Sequence, residues 1–203
     1  MPSLAYGVSL GSIGQNVVRS GDARIDLEVT LPAGKAGTLT TRTDANTGIV
    51  TVSSGHGITI SDTVDVYWSG GRRYGVDVTA QDSTTISIDL GSGDDLPTVS
   101  TAIVIVKQVA FNQAIDGDNL KIIGVSYEVA GASGYGCRVT FFDSADDTIA
   151  GLDLDANVPN VVDVEGGQTN PYTGDPITDG VASNGSATEA ATLKIQGIYD
   201  ATP

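Results

Sequence analysis

The chain has 203 residues, the length of one or two domains, and its formal net charge at pH 7 is −15. This excess of carboxylates argues against a DNA- or RNA-binding protein, because nucleic-acid binding needs clustered Lys and Arg. A hydrophobic content of 40% is sufficient for a core and too high for a disordered chain. Val, Ile and Thr are abundant, 26 residues are Gly and only 5% are aromatic, so the composition predicts an all-β protein.

The N-terminal segment lacks the basic start and the continuous apolar run of a secretory signal peptide. Its first cation is Arg19, and no stretch of the chain approaches the roughly 18–20 apolar residues of a membrane span. We therefore expect synthesis in the cytoplasm without a signal peptide, and no membrane partner. Within the near-neutral residues 1–21, four apolar side chains alternate on one face and predict an arm that anchors the protein to a partner: Leu4, Tyr6, Val8 and Leu10.

Strand signals dominate the chain that follows. Residues 22–31 alternate apolar and polar side chains, which predicts a half-buried strand that ends before Pro32. Gly70 and Gly71 follow Trp68 and predict a tight hairpin, because Gly supplies the positive φ that such turns need. Short strands joined by turns of this kind predict a small closed barrel. Its six predicted strands are Thr38–Thr43, Gly48–Ser53, Thr63–Trp68, Tyr74–Ala80, Thr84–Leu90 and Ala102–Lys107.

The pattern changes after Phe111. Residues 108–203 carry three cations and fourteen anions, and Pro and Gly recur between 166 and 184, where we expect a long loop. Residues 186–193 are the one helical candidate. The predicted strands of this half are Leu120–Ala130, Gly136–Phe142, Ile149–Leu154, Val158–Val164 and Thr192–Tyr199.

The simplest domain organisation is discontinuous. Residues 1–36 and 108–203 would form one jelly-roll-like β-sandwich, and residues 37–107 would form a small β-barrel inserted into it. Two sequential β domains are the alternative. Both organisations belong to the all-β class.

The segment 54–66 is the most distinctive in the chain. Its core, from His56 to Val64, resembles an element common in β-rich virion proteins of tailed bacteriophages: His-Gly-Leu, two residues, Gly-Asp, one residue, Val. Ile58 stands where the element has Leu, and Ser61 where it has Gly. The resemblance covers about a dozen residues and implies a capsid-decoration, head-fibre or tail-fibre protein.

The same residues have a physical interpretation of their own. Gly55 and Gly57 flank His56 and allow a sharp turn, and Asp62 is placed to accept hydrogen bonds from backbone N–H groups. We expect the His56 ring to hold the turn through a hydrogen bond, and we favour this structural role over a catalytic or metal-binding one.

No set of residues predicts an enzyme. A nucleophilic triad needs a histidine base, and His56 is the only His; Cys137 alternates with apolar neighbours and is expected in the core. No nucleotide-binding motif is present, so we expect no cofactor. Pairs of Asp could serve a glycoside hydrolase, but a solvated acidic surface is the preferred interpretation. The pairs are Asp94 with Asp95, Asp116 with Asp118, Asp146 with Asp147, and Asp153 with Asp155.

Four of these carboxylates also have a spacing that suits calcium, which takes six to eight oxygen ligands. They are Asp116, Asp118, Asp153 and Asp155. Neither stretch completes a calcium-binding loop, and turn capping explains both equally well. We therefore expect no metal.

A carbohydrate- or receptor-binding module is the alternative function. Tyr67 or Trp68 would face outward from the barrel and stack on a sugar ring, beside the polar residues Arg72, Arg73 and Tyr74 across the hairpin. The competing interpretation, which we prefer, places Trp68 in the barrel core.

The resemblance together with these observations predicts a non-enzymatic virion subunit of the decoration or fibre type. Its partners would be capsid proteins or neighbouring subunits, and we expect a homo-oligomer such as a trimer. The acidic C-terminal half would face solvent and keep particles apart.

Overall fold

The computed structural model describes residues 6–10, 15–19, 24–92, 96–112, 120–129, 134–143, 145–146, 148–154 and 179–199. These residues form β-strands and no helix, so the all-β prediction is confirmed. In the same residues there is no helix long and apolar enough to cross a membrane. The strands in chain order are β1 (Tyr6–Leu10), β2 (Gln15–Arg19), β3 (Arg24–Leu31), β4 (Lys35–Arg42), β5 (Thr47–Val52), β6 (Thr63–Trp68), β7 (Gly71–Gln81), β8 (Thr85–Asp89), β9 (Ala102–Lys107), β10 (Val109–Asn112), β11 (Leu120–Val129), β12 (Cys137–Phe142), β13 (Thr148–Leu154), β14 (Asp179–Asn184) and β15 (Ala191–Tyr199).

Two sheets form a sandwich. One has the order β1-β2-β3-β15-β11 and the other the order β10-β14-β12-β13. Both contribute to one hydrophobic cluster, which includes Leu27, Val29 and Leu193 from the first sheet and Val139 and Phe141 from the second. The chain passes from β3 in the first sheet to β10 in the second, back to β11, over to β12–β14 and back to β15. This alternation between two antiparallel sheets is typical of a jelly roll.

The remaining six strands close into a barrel in the order β4-β5-β8-β7-β6-β9. Its interior is a separate hydrophobic cluster that includes Leu39, Val50, Val66, Trp68 and Ile105. The barrel strands lie in the chain between β3 and β10, which belong to the sandwich. Whether the two parts fold as separate units stays a prediction.

The connection from the sandwich to the barrel is short and tightly packed. The backbone N–H of Gly34 donates to the carbonyl oxygen of Ser186 at 2.7 Å. A Cβ on Gly34 would lie 2.7 Å from Cγ1 of Val104. Only Gly can therefore occupy this position without moving β9.

Residues 179–184 belong to β14, so the long loop predicted over 166–184 is wrong at its C-terminal end. The helical candidate at 186–193 does not form a helix, because β15 begins at Ala191 and pairs with β3 and β11. The strand predicted at Val158–Val164 lies outside the described residues.

Candidate functional site: the barrel–sandwich interface

Two barrel strands are buried on both faces. In β6, Val64 and Val66 point into the barrel, and Tyr67 on the other face is 1% exposed. In β9, Ile105 points inward while Val106 joins Tyr67 in a second cluster, which we call the interface cluster. It comprises Tyr67, Val104 and Val106, with Tyr74 and Ala187 packed against it. The outer face of these strands is therefore covered by the sandwich.

A buried polar network crosses this interface. The hydroxyl groups of Tyr67 on β6 and Ser183 on β14 share a hydrogen bond of 2.7 Å. Next to them, Oδ1 of Asp65 accepts hydrogen bonds from the N–H of Gly75 at 2.9 Å and from Nε2 of Gln108 at 2.8 Å. Burial raises the pKa of Asp65; the nearby Ser183 hydroxyl and the Gly75 and Gln108 donors oppose this rise without cancelling it.

A cluster of charges lies at the edge of the same interface. The carboxylate of Asp153 on β13 pairs with Arg72 of β7 at 3.1 Å and with Arg138 of β12 at 3.3 Å. It also accepts the hydroxyl of Tyr74 at 2.6 Å. The Arg138 guanidinium lies 4.6 Å from the centre of the Tyr74 ring, a cation–π distance. A Cβ on Gly151 would overlap the Arg138 guanidinium, so the missing side chain at 151 lets Arg138 cross the sheet.

These contacts overturn the exposed aromatic surface proposed for carbohydrate binding. Tyr67 and Trp68 are 1% and 8% exposed, because one packs on the sandwich and the other fills the barrel. Arg72 and Tyr74 are bound to Asp153. Arg73 donates to the carbonyl oxygens at positions 90 and 92. No ring face of Tyr67 or Trp68 is open to a sugar, and the preferred placement of Trp68 in the barrel core is confirmed.

Of the four calcium candidates, Asp153 is the one that lies within the described residues. Both carboxylate oxygens of Asp153 are held by Arg or Tyr side chains, which is unlike the environment of a calcium ligand. Asp116, Asp118 and Asp155 lie outside the described residues. Among the described residues, no three His, Cys, Asp or Glu side chains come together in a way that could hold a metal ion.

The carboxylate pairs considered for hydrolysis lie largely outside the described residues. Their members that are not described are Asp94, Asp95, Asp116, Asp118, Asp147 and Asp155.

A different group of acidic side chains lies at the end of β12. Burial raises the pKa of Asp179, and the charges of Asp146 and Asp143 raise it further. Asp143 itself accepts the N–H of Ala145 at 2.9 Å, which is the pattern of a turn.

The predicted roles of His56 and Asp62 are confirmed. Nδ1 of His56 accepts the N–H of Ile58 at 3.1 Å, so Nε2 carries the proton and donates to the carbonyl oxygen of Asp82 at 2.7 Å. The ring is 7% exposed. Asp62 accepts the N–H of Thr59 at 2.8 Å and forms an ion pair with a lysine at the end of β9. Cys137 is buried in the sandwich core, as predicted, and burial raises its pKa.

Asn184 is one of several buried polar residues that sequence reasoning missed. Asn184 accepts the hydroxyl of Tyr127 at 2.7 Å and the N–H of Ser186 at 3.0 Å through Oδ1. Its Nδ2 donates to the carbonyl oxygens of Glu189 at 2.7 Å and Pro32 at 3.3 Å. Asn followed by Gly is a common turn signal, which hid the function of Asn184 as a cross-link between β11, β14 and the entry to the barrel.

An open groove of about 470 Å³ lies at one end of the barrel. Its lining includes Asp44, Asn46 and Asp89. Oδ1 of Asp44 accepts the N–H groups of Asn46 and Thr47 at 2.8 and 2.7 Å, and these bonds lower its pKa. This carboxylate therefore caps the turn between β4 and β5.

The predicted anchoring arm falls partly within the described residues. Leu4 lies outside them. Tyr6, Val8 and Leu10 belong to β1, which pairs with β2 at the edge of the five-stranded sheet. The arm thus continues the sandwich sheet by one hairpin.

No protein-family model, curated protein or solved structure matches this chain.

Proposed function

We propose that this chain is a non-enzymatic structural subunit of a bacteriophage particle, of the capsid-decoration or fibre type. One observation carries the proposal: the side chains best suited to chemistry are used to hold the fold together. His56 and Asp62 close a turn, Asp153 joins the barrel to the sandwich, and Trp68 fills the barrel. The resemblance of residues 54–66 to phage virion proteins is the reason for proposing a bacteriophage particle.

The proposed attachment uses a sheet edge. In the described residues, β1 is the outermost strand of the five-stranded sheet, with β2 on one side only. An edge strand presents N–H and C=O groups that can pair with a strand of another chain. The neighbouring virion protein would pair with the backbone of β1, and it would also pack on the face of the strand that is predicted to carry Leu4, Tyr6, Val8 and Leu10.

A sedimentation experiment tests this attachment. The purified chain is mixed with phage particles assembled without its gene, and the particles are then pelleted. The full chain is expected to pellet with the particles, and Val8→Asp is expected to stay in the supernatant. Ser9→Asp is the matched control, since the neighbouring residue faces the other side of the strand. Equal pelleting of the two variants, or no pelleting of the full chain, contradicts the proposal.

The oligomeric state is tested separately. Light scattering after size-exclusion chromatography is expected to give about three times the chain mass of 20.7 kDa for a trimer. A mass of 20.7 kDa at every concentration would remove the homo-oligomer from the proposal.

A further inference from the structure

One carboxyl group lies deep between the barrel and the sandwich. Asp65 is 1% exposed, although its neighbours Val64 and Val66 point into the barrel and Asp65 points out of it. Oδ1 of this carboxyl accepts two hydrogen bonds, from Gly75 and Gln108. Oδ2 is buried and makes no hydrogen bond. A carboxylate here would hold its charge away from bulk solvent, on a side chain with one oxygen outside any hydrogen bond.

A neutral carboxyl fits this position better. Its proton would sit on Oδ2, so the buried oxygen becomes a donor and no longer carries charge. The Ser183 hydroxyl on β14 is near enough to influence this carboxyl and shares a hydrogen bond with Tyr67, and its oxygen could accept the proton on Oδ2. Protonation would thus add a bond between a barrel strand and a sandwich strand.

The titratable and charged groups around Asp65 leave the change in protonation to Asp65 itself. Tyr67, Tyr74 and Cys137 are neutral between pH 4 and pH 8, because burial raises the pKa of each. Arg138 on β12 is the cation whose charge favours the carboxylate, and it is already paired with Asp153. Lys107 on β9 pairs with Asp62 instead.

We propose that Asp65 is a pH-sensitive lock between barrel and sandwich, closed when its carboxyl is neutral and loosened when it is ionised. The geometry carries the proposal: a buried carboxyl at an interface, with one oxygen hydrogen-bonded to Gly75 and Gln108 and the other buried without a hydrogen bond. The lock would let a change of acidity alter how firmly the barrel is held. It does not depend on the proposed virion function.

The sign follows from proton linkage. A carboxyl whose pKa is raised on folding binds its proton more tightly in the folded state than in the unfolded state. The folded state is therefore favoured at low pH, and stability is lost as the pH rises from 3.8 through the raised pKa. Carboxylates with lowered pKa values act in the opposite direction, and they do so below pH 3.8.

The first experiment compares the wild type with Asp65→Asn, which mimics the neutral carboxyl. At pH 8 we expect trypsin to cleave after Lys107, at the exit from the barrel, several-fold more slowly in D65N than in the wild type. As the pH is lowered within the range in which trypsin is active, the rate for the wild type should approach that for D65N. Asp77→Asn, which changes an exposed carboxylate on the same barrel, should behave like the wild type. Equal rates for wild type and D65N at pH 8 overturn the proposal.

The second experiment needs no variant and remains decisive if D65N does not fold. The carboxyl carbon of Asp65 is followed by NMR in the intact protein as the pH is changed. A titration midpoint above the ordinary value of about 3.9 is expected. The amides of Ser183 and Gly75 should shift with the same midpoint. A midpoint at or below the ordinary value overturns the proposal, whatever the protease reports.

Discussion

At the scale of single residues, the glycine at position 151 shapes the interface as much as any charged side chain. Arg138 reaches Asp153 and Tyr74 by lying across the sheet over Gly151. The two ion pairs of Asp153 could not be predicted from sequence. Arg138 is 15 residues away in the chain, and Arg72 belongs to the barrel. A Gly in a strand interior does signal close approach of another group, and this is the signal that could have located the contact.

Gly151→Ala should therefore lower the free energy of unfolding, and replacing Arg138 should remove this effect. The added methyl group displaces the Arg138 guanidinium, with an expected loss of about 1–2 kcal/mol of unfolding free energy. In an Arg138→Ala background the same change should be neutral or stabilising, because Ala is favoured over Gly in a strand. Urea denaturation of the four proteins measures the coupling. Equal cost in both backgrounds would mean that Arg138 is not displaced.

The turn-capping carboxylates predict a loss of stability in acid. Hydrogen bonds from Thr84 and Thr85 lower the pKa of Asp82, and so folding favours its ionised form. Its contribution is present above pH 3.8 and is lost as the pH falls through the lowered pKa. Asp82→Asn keeps a capping oxygen and should show a smaller drop in melting temperature between pH 5 and pH 2. Ser83→Ala, in the same turn, should keep the wild-type drop; an unchanged drop in D82N contradicts the assignment.

At the scale of strands, sequence patterns located most of the barrel. The predicted bounds of β6 and β9 are those observed, and the Trp68–Gly71 pair forms the expected hairpin with Gly70 at φ 100°. The apolar run in β9 has a physical reason, because this strand is buried on both faces. A continuous apolar run was thus the one sequence signal of the barrel–sandwich interface.

The hydrophobic pattern did not predict β14 and β10, because their residues make contacts that form only in the folded protein. Gly180 in β14 is covered by the ring of Phe111 from β10, which occupies the space of a Cβ. Ser183 and Asn184 are polar because each bonds to another strand or loop while buried. Such residues look like turn formers in a sequence. The candidate site was missed for the same reason.

Both faces of β9 are buried at its centre, and its first residue is exposed. A charged side chain should therefore destabilise the protein much more at the centre of the strand than at its start. Val106→Asp would place a second carboxyl group opposite Asp65, the cross-strand partner of Val106, and should cost about 3 kcal/mol or more of unfolding free energy. Ala102→Asp, at the exposed start of the same strand, should change stability by about 0.5 kcal/mol or less. Urea unfolding midpoints of the two variants measure the difference. Similar costs would argue against a covered outer face.

At the scale of the whole molecule, the insertion of the barrel into the sandwich can be tested by limited proteolysis. β3 and β15 pair from Leu31 with Ala191 to Arg24 with Ile198, on either side of the barrel in the sequence. After cleavage near residues 36 and 108, the N- and C-terminal pieces should stay associated in a native gel. Separation of these pieces would favour two sequential domains.

The chain enters the barrel at Lys35, which is the cross-strand partner of Ile105 close to the exit. Because neighbouring strands lie about 5 Å apart, both junctions meet the sandwich at nearly one spot. The barrel is therefore joined to the sandwich covalently at one place, next to the interface formed by the outer faces of β6 and β9. Arg24 and Ile198 are themselves cross-strand partners in β3 and β15. Tension applied between them would load the hydrogen bonds between these two strands, and the barrel would carry no load until β3 separates from β15.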